Sequence, residues 1–439
     1  METKLEEIAA KARKENKLKF TSLCHHVTRE LVWESLKRIP NTSAAGIDGM
    51  DAKEAKETFE KWIEPMLQAV HRKGYKAPPV KRVWIPKAGK TQKRPIGIPC
   101  IADRSLQRSV AKVLSAIYEQ DFLPCSFGGR TGLSAHHALA TFNEVVSKKK
   151  IGWVLEADLK DFFGSLNQEW LIKFVNHRVE DPRIINLIQR WLKAGVIEND
   201  QVQTSEVGTP QGGPISVLLS NIYLHYVLDL WFEKAIRPRL KGETYLMRYI
   251  DDFVVCFQNR QDAIRFREVL GKRLGKFSLT LEANKTRIVE FGRFAQKDAK
   301  KGNRKAEVVC FLGFTHYCTL DRRGNFQVGR KTEKTKLKRA LTKLGEGMRL
   351  IRHWKVKEQV NQINQELRGH YGYYGLGGNY SGLIKVYRYA EKYWRKMLCS
   401  RSWKSYVTWE KFIKIREYYS LAKPVLRLTY AQMQKMAVL

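Results

Sequence analysis

The sequence is poor in residues arranged to bind a structural metal. It holds 7 cysteines among 439 residues, with no CxxC arrangement and no cysteine–histidine cluster at the spacing of a zinc site. The nearest pair, Cys310 and Cys318, is too widely spaced for a zinc knuckle. We therefore expect no structural zinc, and thiols that stay reduced as they do in the cytoplasm.

Long apolar segments are also lacking. The N-terminus, METKLEEIAAKARKENK, is charged and has no apolar stretch of the kind that forms a secretory signal. No uninterrupted run of about 18 apolar residues is visible, which is the length that a membrane-spanning helix needs. These features predict a cytoplasmic protein without a membrane partner.

Acidic residues are scarce relative to basic ones. Asp and Glu number 44 against 80 Lys and Arg, which gives a formal charge of +36 and a pI near 9.9. This imbalance indicates a polyanionic partner, although a surface of solvated lysines is the simpler alternative. Residues 331–439 carry 24 basic and 7 acidic residues, interleaved with aromatic rings. Cations beside rings are typical of nucleic-acid binding, whereas the same rings could instead form a helical core.

The pattern of apolar residues predicts an α+β core up to about residue 328, followed by a basic helical region. Helices are expected over 1–40, 51–73, 103–120, 168–194, 214–236, 260–275 and from 331 onward. Strands are expected as a pair within 80–99 and over 151–158, 279–291 and 306–318. Loops are expected over 41–50 and 296–305, and a domain boundary over 321–334.

Two adjacent acids, Asp251 and Asp252, interrupt the apolar stretch YLMRYIDDFVVCF at residues 245–257. A plain strand would send neighbouring side chains to opposite faces, whereas a hairpin turn lets both carboxylates converge. Asp158 ends another apolar stretch, WVLEAD, 93 residues before Asp251. Carboxylate oxygens suit Mg²⁺, so the three acids predict a magnesium site. A pair of solvated turn aspartates is the alternative interpretation.

Eight short motifs follow one another along the chain. They are AGIDG (45–49), RPIGIPCIADRSLQ (94–107), SFGGRTGLSAHHAL (126–139), ADLKDFF (157–163), GTPQGGPISVLLSNIYL (208–224), RYIDDF (248–253), LTLEANKT (279–286) and FLGF (311–314). In this order they resemble the polymerase domain of reverse transcriptases, specifically the group II intron-encoded lineage, over roughly residues 22–420. The resemblance implies a right-hand polymerase, with fingers and palm built on an antiparallel sheet and followed by an α-helical thumb or maturase domain.

The resemblance also implies a division of the chain into four parts. Residues 1–50 would form an N-terminal helical extension, and residues 51–328 the fingers and palm. Residues 329–392 would form a maturase-like helical thumb, in which ELRGHYGYY (366–374) is the most recognisable piece. Residues 393–439 would form a basic region similar to the DNA-binding region of the family.

The family's metal ligands fall on three acids of this sequence. The resemblance makes Asp158, Asp251 and Asp252 the catalytic ligands, with the carbonyl of Leu159 assisting. Two Mg²⁺ ions are implied, with Mn²⁺ as a substitute. The partners implied are dNTPs and an RNA or DNA template that carries a primer.

Five further residues match positions that contact the nucleotide in the family. Lys87 and Arg94 match cations that grip the triphosphate, which needs both point charges and bidentate partners. The ring of Phe163 matches a gate that clashes with a ribose 2′-hydroxyl, although it could also be a core residue beside Phe162. Gln211 matches a glutamine near the nucleotide, and Lys285 a lysine near the primer or nucleotide.

Three motif neighbours add detail to this interpretation. Gly212 and the following glycine permit close backbone approach in the TPQGG loop. Tyr249 precedes the catalytic turn, and the family usually has Ala where Ile250 stands. His136 and His137 lie in a motif that resembles a template-handling helix, and without an acid or cysteine cluster nearby we expect no metal there.

The sequence departs from the family pattern at other positions as well. Gly164 stands where the family usually has an acid, and Gly129 where it usually has Phe. No segment of this sequence resembles the endonuclease domain of some members, so we expect a free-standing enzyme. Because Ile250 adds bulk beside the primer terminus, we hypothesise that it favours short or poorly paired 3′ ends.

Three functions are consistent with these observations. The first is an RNA- and DNA-directed DNA polymerase, favoured by the presence of Asp158, Asp251, Gln211 and Phe163. The second is an intron maturase, an RNA-binding splicing cofactor in which polymerase activity is secondary. The third is a host-adapted enzyme of this lineage that serves DNA repair or phage defence.

Overall fold

A computed structural model describes residues 2–86, 93–198, 201–203, 212–303, 305–402, 404 and 406–438. The chain divides into two compact units. The first takes its described residues from 1–87, 91–135 and 157–288, and the second from 136–156 and 289–439.

Helices dominate both units. In chain order the α-helices of the described residues are α1 (Glu2–Lys14), α2 (Arg29–Lys37), α3 (Ala52–Glu57), α4 (Phe59–His71), α5 (Ile101–Tyr118), α6 (Ala135–Lys148), α7 (Phe162–Ser165), α8 (Gln168–Val175), α9 (Pro182–Lys193), α10 (Pro214–Leu224), α11 (Arg260–Gly275), α12 (Ala295–Lys301), α13 (Lys334–Leu350), α14 (Val356–Tyr374), α15 (Tyr380–Cys399), α16 (Trp409–Tyr418) and α17 (Tyr430–Met436).

The strands are shorter and lie mostly in antiparallel pairs. They are β1 (Val80–Pro86), β2 (Lys93–Ile98), β3 (Trp153–Asp158), β4 (Val196–Glu198), β5 (Gln201–Gln203), β6 (Thr244–Tyr249), β7 (Asp252–Phe257), β8 (Arg287–Glu290), β9 (Val308–Phe311), β10 (Phe314–Leu320) and β11 (Phe326–Thr332). The mixture of helices with mainly antiparallel sheets confirms the predicted α+β class.

The first unit is organised around α5, whose apolar positions Leu106, Val110 and Leu114 are completely buried. Helices α1, α2 and α10 pack against it. A sheet of order β2-β1-β4-β5 begins with the antiparallel pair β1–β2, in which Ile85 lies opposite Arg94. This pair is the predicted two-stranded hairpin of residues 80–99.

The sheet that carries the predicted catalytic acids has the order β6-β7-β3-β8. Strands β6 and β7 are antiparallel, from Thr244 opposite Phe257 to Tyr249 opposite Asp252. Residues 253–257 of β7 are all buried, which suits a strand that lies between two others and is covered on both faces. The apolar run on either side of the two acids is therefore a hairpin.

The second unit combines a sheet of order β11-β10-β9 with a helical core. Helices α13 and α14 both pack against α15, which continues through the predicted domain boundary at residues 392–393. Trp394 at the centre of this core is 1% exposed and donates from its indole nitrogen to Gln359 Oε1 at 2.9 Å. The buried apolar positions here include Leu344, Met348, Ile363, Leu367, Leu383, Val386 and Phe412.

Several predicted elements are divided in the structure. The helical stretches expected over 1–40 and 51–73 each contain two α-helices, α1 with α2 and α3 with α4. The single helix expected over 168–194 is two helices, because Asp181 caps α9 by accepting from the Arg183 N–H at 2.9 Å and Pro182 occupies its first position. The single strand expected over 306–318 is the hairpin β9–β10, whose turn residues Leu312 and Gly313 have φ of +47° and +77°.

Two other expectations about secondary structure were wrong. The strand expected over 279–291 is confined to β8, and the predicted loop at 296–305 contains most of α12. Charge explains the second error, since lysine heads can stay in water while their stems and backbone form regular structure. The segment 321–334, predicted as a domain boundary, contains β11, and the boundary stays a prediction.

One helical segment, Pro214–Arg239, is long and apolar enough to cross a membrane by length and composition, contrary to the expectation from sequence. However, 78% of its most apolar window is buried inside the protein. Core helices pass the same test, so the segment is a weak sign of a membrane span. Beyond α10 it continues through π-helical turns at His225–Asp229 and Phe232–Ile236.

Candidate active site

The two adjacent acids lie at a tight hairpin turn. Tyr249 and Asp252 face each other as the last pair of β6 and β7, so Ile250 and Asp251 form a two-residue connection. Ile250 has φ +59°, the left-handed region that a β-branched residue rarely adopts. Both carboxylates are half-buried and both side chains have interaction partners. The turn predicted from the doubled acid is confirmed.

Asp158 ends β3, the neighbour of β7 in the same sheet. Its carbonyl accepts from the Glu282 N–H at 2.8 Å, and its carboxylate forms an ion pair with Lys285. The 280–285 segment is thus held against the end of β3. The sequence matched Lys285 to a contact with primer or nucleotide, but in this structure its ammonium contacts the carboxylate of Asp158.

Leu159 follows Asp158 and is 5% exposed. It forms an antiparallel bridge with Leu281, but the hydrogen bonds of that bridge come from its neighbours. The Lys160 N–H donates to the Thr280 carbonyl at 2.9 Å, and the Glu282 N–H to the Asp158 carbonyl. The strand pairing therefore does not engage the Leu159 carbonyl.

The donor set fits a hard divalent cation. The side chains of Asp158, Asp251 and Asp252 supply only carboxylate oxygens. One of these carboxylates, that of Asp158, already pairs with a cation, the Lys285 ammonium. Within the described part of the chain, no three His, Cys, Asp or Glu side chains converge closely enough to hold a metal. Mg²⁺ binds through one or two carboxylates and completes its shell with water and phosphate, so this geometry is compatible with it.

Comparison with known proteins identifies the family of this chain. The family described as reverse transcriptase (RNA-dependent DNA polymerase) matches residues 85–316, slightly more than half of the chain. The chain belongs to the reverse transcriptase family. This reverse transcriptase is 32% identical to Protein YkfC of Escherichia coli (strain K12), over 55% of this chain and 71% of that protein.

Other relatives connect the reverse transcriptase with group II introns. It is 34% identical to the group II intron-encoded protein LtrA of Lactococcus lactis subsp. cremoris, over 48% of this chain and 36% of that protein. It is 24% identical to nuclear intron maturase 3, mitochondrial, of Arabidopsis thaliana, over 36% of this chain and 24% of that protein. The predicted resemblance to the group II lineage is confirmed.

Phe163 of the reverse transcriptase lies in the short helix α7, directly after the Asp158 segment. Its neighbour Phe162 is 2% exposed and meets it edge to face, with ring centroids 5.3 Å apart. Phe163 itself is only half-buried. The core position therefore belongs to Phe162, and Phe163 is partly exposed.

Gly164, which stands where the family usually has an acid, lies directly beside the side chain of Asp161. A Cβ at residue 164 would lie 2.3 Å from the carboxylate oxygen Oδ2 of Asp161. Asp161 itself adopts φ +42° at the start of α7. The space beside Gly164 is thus occupied by another carboxylate, from three residues earlier.

The predicted nucleotide contacts fall largely outside the described residues. Lys87 and Gln211 lie outside them, and only the backbone of Arg94 is described. Gly212 has φ +121°, and a Cβ there would lie 2.3 Å from the Gly97 carbonyl oxygen of β2. The close approach that this glycine permits is therefore to the backbone of the reverse transcriptase itself.

His136 has a structural contact in the second unit. Its Nε2 lies 2.9 Å from the Tyr373 carbonyl, and the two rings lie 5.5 Å apart. Burial lowers the pKa of the adjacent His137 below its ordinary value. His136 thus has a hydrogen-bond and ring partner in Tyr373.

Sequence reasoning missed Arg248, although it belongs to the quoted motif RYIDDF. The side chain is completely buried behind the catalytic turn and pairs with Asp229, which is also completely buried. The signal that could have found it is a single arginine within the apolar strand YLMRY. A buried arginine needs a buried acid, but the sequence does not say which one.

Proposed function

We propose that this chain is an RNA- and DNA-directed DNA polymerase that extends a primer 3′-hydroxyl with dNTPs. The observation that carries the proposal is the position of three acids in one sheet: Asp158 ends β3, Asp252 begins the neighbouring strand β7, and Asp251 lies in the turn before it. The Lys285 ammonium forms an ion pair with Asp158. The fold we propose is the right-hand polymerase, with fingers and palm over 51–328 and a helical thumb over 329–392.

The three carboxylates would hold two Mg²⁺ ions, with Mn²⁺ as a substitute, and the Leu159 carbonyl would assist. When bound, the ions activate the primer hydroxyl and offset the charge on the phosphates. Lys285 holds the Asp158 side chain in place through its ion pair. The Leu159–Leu281 bridge fixes the backbone that carries Asp158.

Substrate choice is proposed to depend on residues around this site. Phe163 would exclude a ribose 2′-hydroxyl by steric clash, which selects dNTPs over rNTPs. Lys87 and Arg94 would grip the triphosphate, since cations of both kinds match phosphate oxygens. Gln211 would lie near the nucleotide.

The test is primer extension with dNTPs and Mg²⁺ on RNA and DNA templates. Asp251→Ala and Asp158→Ala should each lower the extension rate at least about 1,000-fold, because each loses several kcal/mol of charge stabilisation. Asp321→Ala is the matched control, because Asp321 is half-buried like the three acids but belongs to the β10–β11 turn and not to their sheet. It should extend primers within about twofold of wild type. No extension by the wild-type protein would overturn the proposal.

A second candidate is an intron maturase that binds RNA and promotes splicing. The observation that favours it is an exposed aromatic and basic surface on the second unit: Trp409 is 51% exposed and Tyr418 is 82% exposed. The guanidinium of Arg395 lies 4.3 Å from the Trp409 ring centroid. Rings and cations arranged in this way suit stacked bases and phosphates.

RNA binding can be separated from polymerisation. If the second unit neutralises several phosphates, the RNA dissociation constant should rise steeply with salt, and the logarithmic plot should be linear. Asp251→Ala should bind RNA as wild type does. A flat salt response would contradict the maturase function and leave the polymerase proposal unaffected.

The host role we propose is DNA repair with short-overlap primers, with phage defence as the alternative. The bulk of Ile250 at the catalytic turn motivates this role. Wild type and Ile250→Ala are to be compared on short-overlap and long primer–templates. Equal relative activities would contradict the effect of Ile250, and unchanged survival of DNA damage in a deletion strain would count against repair.

A cytoplasmic location is the last part of the proposal. All seven cysteines lie in the described residues and none of them forms a disulfide there, which suits a reducing compartment. Fractionation of cells followed by immunoblotting tests it, and recovery of the protein in a membrane fraction would contradict it.

A further inference from the structure

Arg248 has a complete set of hydrogen-bond acceptors. Its Nε donates to Asp229 Oδ1 at 2.8 Å, and its Nη2 donates to Asp229 Oδ2 and Ser126 Oγ at 2.6 and 2.7 Å. Its Nη1 donates to Asn221 Oδ1 at 2.9 Å and to the Ile250 carbonyl at 3.0 Å. Because a guanidinium has five N–H groups, every donor has one partner.

The acceptors come from separate parts of the first unit. Ser126 belongs to the loop before α6, Asn221 to α10, and Asp229 to the π-helical turn His225–Asp229. Burial alone would lower the pKa of Arg248, but the Asp229 charge outweighs it and the pKa lies above its ordinary value. The guanidinium is therefore a fixed, permanently charged fork.

The backbone around Arg248 is held in the same way. The Arg248 N–H donates to the Cys125 carbonyl at 2.8 Å, and the Phe127 N–H donates to the Arg248 carbonyl at 2.9 Å. Asn221 Nδ2 donates to the Gly128 carbonyl at 2.7 Å. A Cβ on Gly128 would lie 2.6 Å from the Ile250 nitrogen, so this loop lies directly against the catalytic turn.

The contact with the Ile250 carbonyl has a direct consequence for the catalytic acid. That carbonyl belongs to the peptide group that joins Ile250 to Asp251, so fixing it fixes the backbone leading into Asp251. Ile250 is left-handed at φ +59°, which costs on the order of 1–3 kcal/mol for such a residue. A conformation of this kind persists only where its surroundings hold it.

We propose that Arg248, oriented by Asp229, is a positioning residue that holds the Ile250–Asp251 peptide and thereby sets the metal-binding geometry of Asp251. The inference rests on the proposed function, because it assigns Asp251 to the metal site. Arg248 itself touches neither metal nor substrate. It acts through one hydrogen bond, from its Nη1 to the Ile250 carbonyl. Four other hydrogen bonds fix the orientation of the guanidinium.

The test compares Mn²⁺ binding by the full chain, measured from the electron paramagnetic resonance signal of free Mn²⁺. Arg248→Lys keeps the charge but loses the planar fork. It should raise the Mn²⁺ dissociation constant about 10- to 100-fold, the usual effect of losing an outer partner of a metal ligand. It should also raise the Mg²⁺ concentration needed for half-maximal primer extension.

The matched control is Arg178→Lys, which replaces another buried arginine of the first unit. Arg178 pairs with Asp121 at 3.2 Å and donates to the Ala12 carbonyl at 3.1 Å, but its hydrogen bonds do not reach the catalytic turn. Arg178→Lys should destabilise the fold while leaving the Mn²⁺ dissociation constant within about twofold of wild type. Thermal unfolding of each variant establishes that the binding samples are folded.

A double-mutant cycle with Ile250→Gly separates positioning from general damage. Glycine adopts positive φ without strain, so the turn should depend less on Arg248. Arg248→Lys should then weaken Mn²⁺ binding by less than about threefold in the Ile250→Gly background. If Arg248→Lys does not fold, Asp229→Asn carries the same test, because it weakens the fork without removing the side chain.

Two results would overturn the inference. One is a Mn²⁺ dissociation constant for Arg248→Lys, or for Asp229→Asn where that variant is used, equal to that of Arg178→Lys. The other is an effect of the same size with and without Ile250→Gly. Failure of the proposed function is distinguishable from both, since it appears as a wild-type protein that does not extend primers.

Discussion

Among the hairpins whose turn residues the structure describes, two turn through two residues, and their backbones reach the turn in different ways. Strands β6 and β7 connect through Ile250 and Asp251, whereas β9 and β10 connect through Leu312 and Gly313. In the second hairpin both central residues have positive φ, as in a type I′ turn, and glycine takes the larger value of +77°. In the first, positive φ is confined to Ile250, the sign pattern of a type II′ turn, in which glycine is the usual first residue.

Each turn also has its first carbonyl held by one side chain. The Tyr373 hydroxyl donates to the Leu312 carbonyl at 2.9 Å, and Arg248 donates to the Ile250 carbonyl at 3.0 Å. Tyr373 is a half-buried neutral group, whereas Arg248 is a buried charge with a buried counter-ion. The β9–β10 turn, which has glycine at positive φ, is held by a neutral hydroxyl. The β6–β7 turn, which has isoleucine at positive φ, is held by a buried ion pair that costs desolvation energy. The turn with the β-branched residue at positive φ also carries the two acids proposed to bind metal, and backbone strain is often concentrated at such sites.

The largest expected difference between the two supports lies in stability. Asp229→Ala leaves the Arg248 charge buried without its partner and should lower the free energy of unfolding by about 3–5 kcal/mol. Tyr373→Phe removes one neutral hydrogen bond and should lower it by about 1 kcal/mol. Urea unfolding of both variants beside wild type measures these free energies. Equal decreases for the two variants would show that the ion pair and the neutral hydrogen bond stabilise the protein equally.

Lowering the pH should lower the free energy of unfolding through His225, a neighbour of Asp229 in the chain. His225, in the π-helical turn that carries Asp229, has a pKa lowered to about 4 by burial; Asp229 opposes the shift, and Arg248, Arg130 and Lys234 add to it. Below pH 6.5 His225 is protonated in the unfolded chain but stays neutral in the folded protein. The free energy of unfolding therefore falls as the pH falls toward 4. The full loss from this group is about 3 kcal/mol.

His225→Gln cannot take up that proton and should lose less stability on acidification. Unfolding free energies of wild type and His225→Gln between pH 7 and pH 4.5 measure the difference. The buried His370, in the second unit, has a pKa of about 4 and contributes the same trend to both proteins. Parallel curves for the two proteins would show that His225 does not titrate as described.

The smallest expected effect comes from exchanging the turn residues. Gly313→Ala puts a Cβ at φ +77° and should cost about 1 kcal/mol or somewhat more. Ile250→Gly relieves strain but adds freedom to the unfolded chain, so stability should change by less than about 1 kcal/mol. Thermal unfolding of both variants tests this comparison, and a large loss for Ile250→Gly would mean that its side chain, rather than its backbone, stabilises the turn.

Much of the fold and of the site was predictable from local patterns. The doubled acid in an apolar run predicted the 249–252 turn, and helix α11 has the predicted bounds, 260–275. Local patterns were less successful where a single turn residue interrupts an apolar run. The sequence FLGF at 311–314 looks like continuous strand, because Leu312 gives no indication that it will adopt positive φ.

The sequence by itself determined which chemical groups are available: three acids for the candidate site and, separately, a basic C-terminal quarter. It also determined the family, through motifs whose order survives substitution of single residues. The tertiary structure alone decided which acid neutralises Arg248 and why an isoleucine can stand at a turn position suited to glycine. Ser126, Asn221, Asp229 and Ile250 meet one guanidinium only after the chain has folded, because a buried charge is stable only where its partners, however distant in sequence, converge on it.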